Sequence, residues 1–192
     1  MTRRPALLAV ASLYVALAAS VAHAEAAYVP APAMMSAQGS LQAVFGPWDN
    51  IEAALIDVIE GARRQVLVQA YLLTSKKIAN TLIAAHRRGV NVRILLDAFQ
   101  LEKVSSSVAP ELAAAGIEVW LETKYQNAHN KIVVVDAGTA NATVITGSFN
   151  FTWTAQHKNA ENILIARHNP ALAERYAQNW ERHRLDAISY KK

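Results

Sequence analysis

Residues 128–150 read AHNKIVVVDAGTANATVITGSFN, and the fold is decided by this stretch. Lys131 to Val135 and Ala142 to Thr146 are two β-rich runs joined by a Gly-containing turn, the pattern of a hairpin. His129 and Lys131 stand two apart, so on an extended strand both side chains project from one face. The hairpin returns Gly147 and Ser148 beside Lys131, with Asn150 just beyond. One imidazole, one fixed cation and several small hydrogen-bond donors therefore meet at the open end of two strands. An imidazole attacks phosphorus or donates a proton near neutral pH. The lysine charge and the serine and asparagine donors suit the non-bridging oxygens, over which charge spreads during phosphoryl transfer.

Working outward, short apolar runs alternate with amphipathic stretches. Leu41 to Phe45 predicts a strand, and Asp49 an N-cap for a helix carrying Ile51, Leu55, Val58, Ile59 and Ala62 at helical spacing. Gln65 to Leu72 reads as a buried strand. Lys76 to Arg88 reads as a helix, capped by Thr74 or Ser75 and stopped at Gly89. Val92 to Asp97 is a strand, Pro110 to Ala115 a helix ended by Gly116, and Ile117 to Leu121 another strand. Beyond the hairpin, Asn162 to Ala166 is one more strand. Pro170 to about Leu185 is the last helix, with proline in its first turn. Strands alternating with helices and then a hairpin give an α/β fold, a mixed β-sheet flanked by helices. No internal repeat is present.

The chain has 192 residues, 53% hydrophobic and 18% charged, a globular composition. It contains no cysteine, which excludes a disulfide framework, a thiolate zinc site and a cysteine nucleophile. Residues 1–24 predict a signal peptide. Arg3 and Arg4 precede an apolar run from Ala6 to Ala19, and Ala22-His23-Ala24 forms a small-residue exit. The apolar run is shorter than the ~20 residues of a spanning helix, so no stable membrane span is expected and the product is exported, to the periplasm or beyond. Removing residues 1–24 takes away two arginines and no acid, leaving 17 basic residues against 15 acidic and a net charge of +2. Residues 25–39, rich in Ala, Pro and Met, are expected to be a flexible linker. Residues 40–192 form the catalytic domain.

The pattern H-x-K-x4-D followed by G-S-x-N, present as His129, Lys131, Asp136, Gly147, Ser148 and Asn150, resembles the hallmark of the phospholipase D superfamily. The resemblance extends to AYLLTS at Ala70, RRGVNVRILLD at Arg87, GSFNFT at Gly147 and KNAEN at Lys158. It covers nearly all of Leu41 to Trp180 and is nearest to the short secreted bacterial members, the Nuc-type endonucleases. It implies a phospholipase D-like fold with one such motif per chain, a phosphohistidine intermediate and no cofactor or metal. By the resemblance His129 is the nucleophile or the acid, and Lys131 and Asn150 bind phosphate. Ser148 assists at the phosphate, Glu161 hydrogen-bonds and orients His129, and Asp136 is structural or indirect in role.

Family members typically carry six residues between the motif Asp and Gly, whereas Ala137 to Thr146 makes ten here. If Lys131 pairs near Gly147, the extra residues fall in the far turn of the hairpin, about five residues or roughly 16 Å from the chemistry. A zinc reading fails because no second His, Asp or Glu stands at ligand spacing around His129. His86, His157, His168 and His183 lack any such context and read as ordinary surface or core residues.

In-line displacement through a phosphohistidine needs an attacker and an acid on opposite sides of phosphorus. With one motif per chain, the simplest arrangement is a two-fold homodimer that brings both His129 rings to its axis. The leading substrate is nucleic acid, DNA before RNA. The doublets Arg63-Arg64, Lys76-Lys77 and Arg87-Arg88, with Lys124, Lys158 and Lys191-Lys192, are candidates for a backbone groove, although taken singly most read as solvated helix faces. Trp48, Trp120 and Trp153 are candidates for base stacking, with packing or interface roles expected for two of the three. The second reading is a phospholipase acting on lipid head groups. The third, a non-catalytic DNA-binding protein, is disfavoured by the intact His129, Lys131 and Asn150.

Overall fold

The β-branched run Gln65–Ala70 forms strand β2 at the centre of an eight-stranded sheet of order β1-β7-β6-β5-β2-β3-β4-β8. The computed structural model describes residues 34–191. The signal-peptide reading of residues 1–24 lies outside the described residues, as does the first part of the linker. Residues 34–39 carry no strand or helix. Strand β1 is Ser40–Gly46, β3 Asn91–Asp97, β4 Glu118–Glu122, β5 Lys131–Val135, β6 Thr143–Gly147, β7 Glu161–Arg167 and β8 Ile188–Ser189. β2, β3 and β4 run parallel, and every other pairing is antiparallel. This is the expected mixed sheet.

The helices are α1 (Ile51–Glu60), α2 (Lys76–Arg87), α3 (Ala98–Lys103), α4 (Ala109–Ala114), α5 (Trp153–His157) and α6 (Pro170–Asp186). Strand alternation sorts the core into two layers. Val66, Val68, Ile94, Leu96, Val133 and Ile145 pack with Ile51, Leu55, Ile78 and Leu82 of α1 and α2. On the opposite face Leu67, Leu95, Ile132, Val134 and Val144 pack under Ala173 and Trp180 of α6, and the Trp180 indole N–H donates to the Val68 carbonyl at 2.9 Å. Among the described residues no helix is long and apolar enough to cross a membrane.

Two local expectations are corrected. Helix α1 is capped by Asn50, whose Oδ1 accepts from the Ala53 amide at 2.9 Å. Asp49 instead accepts from the Phe45 amide at 2.9 Å and closes the turn before the helix. β2 stops at Ala70, two residues short of the apolar run, because Leu72 and Leu73 turn away to meet Phe151. Ser75 caps α2, and Gly89 ends it at φ +90°, a backbone region closed to most residues. The short elements α3, α5 and β8 have no counterpart in the sequence pattern.

Candidate active site

The motif strands meet as the hairpin pattern requires. β5 and β6 pair from Ile132↔Thr146 to Val135↔Thr143, so Lys131 and Gly147 stand at one end and the turn 136–142 at the other. The four extra residues therefore lengthen the turn remote from His129. Ala70 is opposite Lys131 across β2 and β5, and Glu161 begins β7 beside the end of β6. Within GSFNFT, Phe149 and Phe151 are wholly buried. Alternation along this extended segment leaves Ser148 exposed and Asn150 half-buried between the two rings. Gly147 has no substitute: a Cβ there would lie 2.2 Å from the Asn162 carbonyl oxygen, so only glycine lets β6 and β7 close together at the site.

His129 is exposed, just ahead of β5, whereas Lys131 is buried at 7% exposure. Both face Tyr71. The His129 and Tyr71 rings are 4.4 Å apart edge to face, and the Lys131 ammonium lies 4.9 Å from the Tyr71 ring centroid. Lys131 Nζ also donates to the His129 carbonyl oxygen at 2.9 Å. Asp97, buried at the end of β3, accepts from the Ala128 amide at 2.7 Å and so fixes the segment that carries His129.

Desolvation holds the His129 pKa below its ordinary 6.5, the Lys131 charge adds to that effect, and Asp97 opposes it. The ring is therefore largely neutral at pH 7, as a nucleophile requires. Burial brings the Lys131 ammonium down from 10.5 to about 8, with Glu161 pulling the other way. A dehydrated cation with few partners is a strong ligand for phosphate oxygen. Its cost appears in stability. Folding weakens proton binding by Lys131, so the penalty is fully present below about pH 8 and is relieved as pH rises toward 10.5. Lys131→Met keeps the aliphatic stem, and is expected to raise unfolding free energy at pH 7 by up to roughly 3 kcal/mol while losing activity. Thermal denaturation of both proteins at pH 7 and pH 10 checks this, since the gain should shrink at the higher pH. Equal or lower stability of the variant at pH 7 contradicts it.

The remaining motif residues divide. Ser148 Oγ donates to Glu161 Oε2 and accepts from the Asn162 amide. Asn150 Oδ1 is buried with no hydrogen-bond partner among the described residues, a polar atom left for a ligand or a second copy to satisfy. The expected Glu161–His129 hydrogen bond is not made within one chain, because Glu161 is occupied by Ser148 and by Asn159 Nδ2 at 2.9 Å. Asp136 lies at the opposite end of β5, where its carboxylate accepts from the amides of Arg63, Arg64 and Gln65 at 2.7–2.9 Å. These bonds tie the start of β2 to the end of β5. Tyr71 and Asp97 had no role in the sequence reading. Their position at the C-terminal ends of the parallel strands β2 and β3, where open sheets place their sites, was the available signal.

An exposed imidazole, a buried cation, an exposed Ser and a half-buried Asn thus stand at one sheet end of an α/β scaffold. The chain belongs to the phospholipase D superfamily of phosphodiesterases. Residues 55–184 match the family described as cardiolipin synthase, PLD-like domain. It is 38% identical over 143 residues to a phospholipase D of Rickettsia prowazekii, covering 74% of this chain and 67% of that one. It is 33% identical over 134 residues to a mitochondrial cardiolipin hydrolase of Xenopus laevis, covering 70% of this chain and 61% of that one. This chain thus spans about two thirds of these relatives' length. Among solved structures, Nuc of Salmonella typhimurium, a phospholipase D family member, superposes with a TM-score of 0.73 at 30% identity, over 80% of this chain and 99% of that one. NucT of Helicobacter pylori shares the fold, with a TM-score of 0.70 at 20% identity over 79% of this chain and 99% of that one.

Proposed function

We propose that this protein is an exported, metal-independent phosphodiesterase that hydrolyses nucleic acid, DNA before RNA, in a site shared by two copies of the chain. The observation that carries this reading is the meeting of His129, Lys131, Ser148 and Asn150 at one sheet end, with a single such imidazole per chain. A ring nitrogen of one His129 attacks phosphorus, and the bond to the leaving oxygen breaks as the imidazolium of the second copy protonates it. Water then attacks phosphorus, yields its proton to that second ring, and releases His129 from the phosphate. Lys131 and Asn150 hold the non-bridging oxygens throughout.

Pairing of two copies is supported by an uncovered apolar strip. Leu41 and Phe45 on β1 and Leu164 on β7 are exposed on the sheet face that carries α6, and their strands lead to the Ser148 end. Likeness to Nuc over nearly its whole length supports the nuclease reading. The relatives named phospholipase D and mitochondrial cardiolipin hydrolase support a second reading, hydrolysis of phospholipid. Incubation in EDTA with plasmid DNA, and separately with labelled phosphatidylcholine and cardiolipin, decides between them. Nicked and linear DNA at undiminished rate is expected. Lipid head-group release without DNA cleavage contradicts the substrate, and arrest by EDTA contradicts the chemistry.

A further inference from the structure

Two of the three tryptophans considered for base stacking are largely exposed. Trp120 meets Trp180 edge to face within the fold, whereas Trp48 is 85% and Trp153 59% exposed. Both are held on rigid supports. The turn that carries Trp48 is closed by the Asp49 amide donating to the Phe45 carbonyl at 2.8 Å and by the Asp49 side chain. Gln156 of α5 donates to the Asp49 carbonyl at 3.1 Å and accepts from the Glu52 amide at 2.9 Å. The helix that presents Trp153 is thus bolted to the turn that presents Trp48.

Both lie beside the phosphate site. Trp153 follows Asn150 by three residues, within about 11 Å along the backbone. Trp48 follows Gly46 by two, and Gly46 is paired directly with Glu161. A histidine and a lysine flank Trp153. His157 stacks on Trp153 at 4.6 Å, and the Lys158 ammonium is 5.8 Å from its ring centroid. Lys158 makes no salt bridge among the described residues. The acids nearby are engaged elsewhere: Asp49 by the Phe45 amide, Glu52 by Ser75 and Lys77, Glu161 by Ser148 and Asn159.

We infer that Trp48 and Trp153 form a stacking platform for the bases of a single nucleic-acid strand running out of the phosphate site, with Lys158 on its backbone. This rests on the nuclease reading and makes it specific. Exposed indoles carried on a hydrogen-bonded turn and helix, beside a lysine without a salt bridge, match the alternation of base and phosphate along a strand. Every base offers a ring face, so such a platform gives affinity for unpaired strands with little sequence preference.

Steady-state cleavage of a short thymidine oligonucleotide by Trp48→Ala, Trp153→Ala and the double variant tests the platform, with bis(p-nitrophenyl) phosphate as the reference substrate. KM for the oligonucleotide is expected to rise about tenfold for each indole removed. The turnover number and hydrolysis of the small diester stay unchanged, and Trp→Phe at either position recovers most of the affinity. Unchanged KM in variants of an enzyme that cleaves the oligonucleotide overturns the platform and leaves the nuclease reading standing. A wild-type protein that cleaves phospholipid but no oligonucleotide overturns both. Two other uses of the indoles overturn the platform alone: dissociation of the dimer in sedimentation marks them as subunit interface. Loss of binding to cardiolipin vesicles with unchanged oligonucleotide KM marks them as a lipid contact.

Discussion

On the proposed mechanism, His129→Ala is expected to lower cleavage of plasmid DNA by about 10⁴-fold or more while the protein still folds. The ring is exposed ahead of β5, so its removal empties no core. Its only partner among the described residues is the Tyr71 ring. What is lost is chemical. Without the imidazole no covalent bond to phosphorus forms, and in a shared site the same substitution removes the proton donor for the leaving oxygen. Both halves of the displacement therefore fail together, which sets the effect well above the loss from one missing phosphate ligand, about 10²–10³. Circular dichroism and the melting transition should match the parent protein. Cleavage within a hundredfold of the parent rate contradicts a nucleophilic role for this residue.

Asp136→Ala has the opposite signature, a large loss of stability with chemistry preserved in the molecules that stay folded. Its carboxylate gathers three successive backbone amides, Arg63, Arg64 and Gln65, at the start of the central strand β2, and it is only 4% exposed. Its own backbone sits at φ +52°, a region that aspartate tolerates better than alanine. Loss of charge-assisted bonds to partly buried amides, added to the backbone strain, is expected to cost about 3–5 kcal/mol. That is a large share of the 5–15 kcal/mol typical of a domain. Turnover per folded molecule, measured at a temperature where the variant remains native, should stay within a few-fold of the parent. Asp136 is five residues, roughly 16 Å along an extended strand, from Lys131. A variant of parental stability that has lost activity contradicts the structural assignment, although this aspartate belongs to the same motif as His129 and Lys131.

How far the sequence reveals this molecule depends on the range of the interaction. The β-rich runs KIVVV and Ala142 to Thr146, joined by a Gly-containing turn, made the hairpin legible, and with it the meeting of Lys131, Gly147 and Ser148. The buried Phe149 and Phe151 bracket a half-buried Asn150 and follow an exposed Ser148. Short elements were not legible: AFQLEK and WTAQH have too few turns for a period to show, and both helices are fixed by side-chain caps from Asp97 and Thr152. Long-range contacts were out of reach. Nothing local marks Tyr71 as the surface shared by His129 and Lys131, because that follows from the Ala70↔Lys131 register. Glu161 shows the same limit from the other side. Its place near the site was readable, but its hydrogen bonds with Ser148 and Asn159 depend on the closure of β6 against β7 through Gly147.

The shared site is tested most directly by mixing subunits. Parent and His129→Ala chains, unfolded together in varying proportion and refolded, assort at random into dimers, and cleavage of plasmid DNA is measured against the parent fraction. If each site needs an imidazole from both copies, only all-parent dimers act, so activity follows the square of that fraction and an equal mixture retains about one quarter. Activity proportional to the parent fraction, with about one half left in the equal mixture, means that each chain works alone and contradicts the paired mechanism.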